Sequence, residues 1–225
     1  LNAVTKVTSR LVSNRFLNRY DLHSGKSYFV LAQNAAPYFQ ISAKKFKPHG
    51  PQALVQNYGI LQFCCLSSVR RERLLVKELA SKLGDLSGRH INASQFYVDD
   101  DGTTKRLAFM RVDHGGPPAH ILRKCRADIQ NFAHNPSLNQ FIRKQRLVIA
   151  IITLNAAKVD AIRAAIPRQT WPISFRVEAV PDLAPIVINR QFHLGEQLGD
   201  GAASEFESAS GVEPTDLGES GDQHG

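Results

Sequence analysis

Leu147-Val-Ile-Ala-Ile-Ile-Thr153, the segment 155–166 and then Ile173-Ser-Phe-Arg-Val-Glu178 form the stretch that decides the fold. The first run is apolar, β-branched and of strand length, which predicts a strand buried on both faces. Residues 155–166 repeat apolar residues at helical spacing, and residues 173–178 are β-prone. Strand, helix, strand in that order predicts a right-handed crossover joining two parallel strands.

Working back from this unit, residues 94–98 and 106–112 are β-prone runs separated by Asp99-Asp-Asp-Gly-Thr-Thr104. Asp-Gly between two such runs is a strong hairpin signal. Residues 120–132 and 137–144 predict helices. Arg70-Arg-Glu-Arg73 opens a charged stretch that runs into Leu79, Leu83 and Leu86. Residues 52–66 form a nearly all-apolar helix, which predicts burial against both of its neighbours. Together these elements predict an α/β domain with a mixed sheet over residues 52–190. The linker Lys44-Lys-Phe-Lys-Pro-His-Gly-Pro51 precedes it, basic and broken by proline and glycine.

Residues 1–43 read as helix, hairpin, helix. Ala3, Val4, Val7, Leu11 and Val12 recur at helical spacing. Residues 15–20 and 27–31 then flank the basic-tipped turn His23-Ser-Gly-Lys26. A helix followed by such a hairpin is the second half of a winged helix-turn-helix. Lys6, Arg10, Asn14, Arg15, Arg19, Lys26, Lys44, Lys45 and Lys47 are the residues expected to touch DNA. Arginine and asparagine pair with base edges, and lysine reaches phosphate. The helices that normally precede this unit are absent, and the chain begins with Leu, so the domain is expected to be abbreviated or truncated.

Charge is sorted along the chain. Residues 1–194 hold all 28 basic and 12 of the 20 acidic residues, a net charge of +16 against +8 for the whole. Such an excess points to a polyanion, usually nucleic acid. Residues 191–225 are rich in Gly, Ser and acids and are expected to be a disordered acidic tail.

Several classes are excluded. No apolar run approaches the roughly 20 residues of a membrane span. Cys64, Cys65 and Cys125 lack metal-ligand spacing and read as reduced thiols of a cytoplasmic protein, and no metal site is expected. Gly115-Gly-Pro-Pro118 lacks the Lys-Ser/Thr of a phosphate-binding loop. Trp171, Phe175 and Tyr97 fall in apolar runs and read as core.

One constellation suggests chemistry. Asp99, Asp101, Asp113 and Lys124 are the groups a Mg²⁺-dependent phosphodiesterase requires, carboxylates to hold the cation and a lysine to stabilise charge. The order of elements resembles the restriction-endonuclease-like nucleases. The stretch Met110-Arg-Val-Asp-His114, however, places Arg111 where that family has an acid.

With Val7-Thr-Ser-Arg-Leu11, Tyr28-Phe-Val-Leu31, Leu107–Gly115, Ile121–Asp128 and Val148–Thr153, the chain resembles the replication-relaxation family of plasmid and integrative-element proteins. The resemblance implies a winged helix-turn-helix joined to a nuclease-like α/β domain. It further implies a bacterial mobile-element protein of plasmid replication, mobilisation or their control. The reading is therefore a double-stranded-DNA-binding protein that requires no cofactor, acts with partners of a replication or transfer complex, and has a catalytically silent nuclease-like domain. A Mg²⁺-dependent nuclease or nickase is the alternative, and an adaptor that docks its basic face on an acidic protein is a third.

Overall fold

In the computed structural model, which describes residues 2–23, 25–39, 47–65, 71–84, 91–100, 102–180 and 182–187, the predicted central strand is the middle of the molecule. This strand, β6 (Leu147–Thr153), is buried at every residue. It runs parallel to β5 (Lys105–Val112) on one side and to β7 (Ser174–Ala179) on the other. The crossovers pass through α5 (Pro118–Ala133), α6 (Pro136–Arg143) and α7 (Ala156–Ala165). β4 (Phe96–Asp100) pairs antiparallel with β5, and β3 (Arg71–Arg73) pairs antiparallel with β4. The sheet order is β3-β4-β5-β6-β7. The fold is α/β with a mixed sheet.

Strand β3 corrects the reading of residues 70–73 as the head of a charged stretch. Only Arg71 turns inward, while Glu72 and Arg73 face solvent. Charges on a short edge strand discourage pairing with other chains, and they also hide its strand character.

Each face of the sheet has its own core. On one face, α5, α6, α7 and α4 (Val76–Leu83) cover Phe96, Phe109, Leu147, Ile149 and Ile151. The rings of Phe96, Phe109 and Phe132 meet there at centroid distances of 5.0 to 5.7 Å. The other face carries smaller residues, Ala108 and Ala150 among them, under α3 (Pro51–Cys65) and residues 183–187. The close approach of α3 requires Gly59, since a Cβ there would lie 3.1 Å from both methyls of Val112. α3 is not buried all round as its composition predicts. Gln52, Asn57 and Cys65 face solvent, and Leu61 is 52 % exposed.

At the N-terminus, α1 (Asn2–Ser13) leads into the antiparallel hairpin of β1 (Leu17–His23) and β2 (Lys26–Leu31). A 3₁₀ turn and the short α2 (Ala36–Phe39) follow. The end of α1 is a Schellman motif: Phe16 N–H donates to the Leu11 carbonyl and Arg15 N–H to that of Val12. Its left-handed residue is Arg15, at φ 57°, where glycine is usual. The hairpin is fastened to the sheet domain. Lys26 pairs with Asp182, Leu22 packs into the α3 core, and Tyr28 stacks on His49 at 5.7 Å. Apolar residues nevertheless stay exposed here, Val4 at 73 % and Val7 at 55 %.

The chain divides into Leu1–Ile188 and Asn189–Gly225, so the helix–hairpin segment and the sheet belong to one unit. The expected acidic tail, and Lys44, Lys45 and Asp101, lie outside the described residues. No described helix is long and apolar enough to cross a membrane.

Candidate functional site

Of the acidic residues singled out in the sequence, the two described ones, Asp99 and Asp113, are not brought together. Asp99 points to the α3 face near the start of β5, opposite Arg106 in the strand register. Asp113 follows the other end of that strand. Asp113 lies seven residue steps beyond Arg106, a distance of about 23 Å at roughly 3.3 Å per residue.

Asp99 and Asp113 are each already occupied. Asp99 is fully buried and accepts hydrogen bonds from Arg106 at 3.0 Å, Arg176 at 3.1 Å and the Tyr97 hydroxyl at 3.3 Å. Burial, then the Asp99 charge, raises the Tyr97 phenol above its usual range. Arg176 also donates to Glu178 at 3.3 Å, and Arg71 clamps that carboxylate at 2.5 and 2.6 Å. The Arg71 guanidinium lies 3.7 Å above the Phe63 ring and donates to the Phe63 carbonyl at 2.8 Å. Three arginines and two carboxylates thus form one chain of ion pairs along the sheet.

At the opposite end, Asp113 accepts from the Thr153 hydroxyl at 3.0 Å and the Gly115 amide at 3.1 Å. The Lys158 ammonium stands 3.8 Å away and donates to the Gly116 carbonyl. Arg111 makes a two-pronged contact with Asp128, Nε to Oδ2 at 2.8 Å and Nη2 to Oδ1. Burial raises the Asp128 pKa, opposed by Arg111 and, more weakly, by Lys124. Lys124 is therefore a neighbour of Asp128 on the exposed side of α5.

This donor set does not fit Mg²⁺. A hard divalent cation needs free carboxylate oxygens. Both Asp113 oxygens already hold donors, Lys158 stands beside them, and Arg111 brings a fixed positive charge. Among the described residues no group of three or more His, Cys, Asp or Glu is arranged around a metal position.

The basic residues behave differently. Lys6 and Arg10, one helical turn apart on α1, and Arg15 at its end are exposed, and none makes an ion pair among the described residues. Asn14 is exposed beside them, its carbonyl accepting from Asn34 at 2.9 Å. Arg19 donates across the hairpin to Ser27 at 2.9 Å. It lines a 730 Å³ groove between α1 and the hairpin, together with Thr5, Thr8, Ser9 and Ser13. Lys47 is exposed. Lys26, at the tip of the hairpin, pairs with Asp182 and stays about half exposed.

Sequence reading missed the paired arginines of the sheet. The available signal was spacing: Arg176 and Glu178 stand two apart in a strand and so share one face. Their partners on β3 and β4 are distant in sequence. The chain matches no protein-family model, no curated protein and no solved structure.

Proposed function

We propose that this chain binds double-stranded DNA through α1 and the adjoining hairpin, on a nuclease-like framework that does no chemistry. Its role is that of a bacterial mobile-element protein in plasmid replication, mobilisation or their control, the role implied by the replication-relaxation resemblance. The observation that carries the reading is Arg15. A left-handed conformation costs a non-glycine residue roughly 1–2 kcal/mol, and such outliers cluster where function requires them. Here the strained position holds out a guanidinium, unpaired among the described residues, at the end of the helix that carries Lys6 and Arg10. The framework reading is supported by an antiparallel β3–β4–β5 meander that leads into parallel β5–β6–β7. Silence is supported by Arg111, whose charge sits where a cation-binding acid is expected.

Arg15→Gly separates the two consequences of that strain. The substitution should raise unfolding free energy by about 1 kcal/mol while weakening duplex binding by roughly 1–3 kcal/mol. Unchanged affinity in low salt would remove Arg15 from the interface, and no duplex binding by the intact chain would end the DNA reading. Incubation of supercoiled DNA with Mg²⁺ or Mn²⁺ should leave it intact. Metal-dependent nicking that disappears in Lys124→Ala would restore the nuclease.

A further inference from the structure

The N-terminal ends of β6 and β7 form a second basic surface, on the opposite edge of the sheet from the docked hairpin tip. α6 ends as α1 does, in a Schellman motif with a non-glycine residue in the left-handed position. Gln145 at φ 55° donates to the Ile142 carbonyl, and Arg146 donates to that of Phe141. This turn sets Arg143, Lys144 and Arg146 at the sheet edge, where the Arg146 carbonyl accepts from Leu107 at the start of β5. A 390 Å³ groove there is lined by Arg106, Gln145, Trp171 and Ser174. Arg126 closes its flank, with its guanidinium 5.1 Å from the Trp171 ring and a bond to Gln169, next to Arg168.

Among the described residues the nearby acids are already used, Asp99 by Arg106 and Arg176, and Asp100 by Lys105 at 3.8 Å. Arg143, Lys144, Arg146 and Arg168 are exposed and unpaired among the described residues. Three free cations on this turn, with Arg168 on the segment after α7, suit a run of phosphates. The Trp171 indole N–H is taken by the Ile166 carbonyl at 3.0 Å, and its ring meets the Phe175 ring and the Arg126 guanidinium, so Trp171 is engaged within the fold.

We infer that this edge is a second, sequence-independent binding face for the DNA backbone, by which one molecule holds a duplex segment separate from the one at α1. Strand β7 alone separates the Ser174 end from the Asp182 contact of the hairpin by about 20 Å. The inference shares with the proposed function only the identity of the partner, since its residues are different.

The test uses the full chain, the quadruple variant Arg143→Ala, Lys144→Ala, Arg146→Ala, Arg168→Ala, and the triple variant Lys6→Ala, Arg10→Ala, Arg15→Ala. Bead-bound duplex, protein and a fluorescent second duplex are mixed, while one-duplex binding is titrated against salt. The intact chain should capture the second duplex. The quadruple variant, with unchanged circular dichroism, should bind one duplex and capture no second, and an all-lysine version of the same positions should restore capture. Where one long duplex touches both faces, the salt slope should become shallower by about 3 to 4 in the quadruple variant. Capture and slope unchanged in the quadruple variant overturn the inference. If the triple variant then loses one-duplex binding, the α1 reading stands alone. If the triple variant binds normally and the quadruple variant does not, the α1 reading falls and this face remains.

Discussion

The helix–hairpin segment and the sheet use the same residue types to opposite ends. In the sheet, Arg71, Arg106, Arg111 and Arg176 are bonded to Asp99, Asp128 and Glu178. Among the described residues Lys6 and Arg10 of α1, and Arg15 just past its end, hold no acid, and α1 also leaves Val4 and Val7 exposed. A basic composition therefore has two meanings within one chain. Arginine paired with a buried carboxylate fixes geometry, because leaving either partner alone is costly. Arginine left unpaired on a helix face contributes little to folding and is available to a partner. The lesson is to count unpaired cations, not cations.

The comparison breaks most sharply at Asp99. Asp99→Ala should cost about 3–5 kcal/mol by leaving Arg106 and Arg176 without their shared partner, read as a lower urea midpoint. Gly59→Val should cost about 1–3 kcal/mol by overpacking α3 against Val112; an unchanged midpoint would mean that α3 can lift away freely.

Asp128 tests the pairing through pH. Its folded pKa is raised, so between the ordinary aspartate value of about 3.9 and that raised value the native state binds more protons than the unfolded one. Stability from this residue then falls as pH rises through the window. Melting temperature against pH should be flatter across that window in Asp128→Asn than in the intact chain. The smallest effect sharpens the contrast: alanine at Lys6 or Arg10 should each change stability by less than about 0.5 kcal/mol. A larger loss at either would show that the α1 charges belong to the framework after all.

Periodicity made the architecture legible. Leu147–Thr153 was a strand to the residue, and the helices before and after it fell within a few positions of their predicted ends. Three polar residues concealed β3, because edge strands carry the charges that strand propensity disfavours. The basic character of α1 was plain in composition. The tie between Lys26 and Asp182 was not, since it joins residues far apart in the chain. Asp99 and Asp113 looked like a pair because the hairpin between β4 and β5 is short. Their separation follows from strand direction: Asp99 is at the turn and Asp113 at the far end of the returning strand.

The complete burial of β6 has a consequence for how the chain must be made. Seven uncharged residues, mostly β-branched and free of proline and glycine, also have the composition that seeds cross-β aggregates. In the native sheet both edges of that strand are covered, but β7 is synthesised after it, and until β7 docks one edge is open. Arg143-Lys-Gln-Arg146 stands directly before the strand and places three like charges where identical chains would stack, the arrangement of a gatekeeper. Neutralising those charges should lower refolding yield more steeply as protein concentration rises, while leaving the melting temperature of molecules that do fold nearly unchanged.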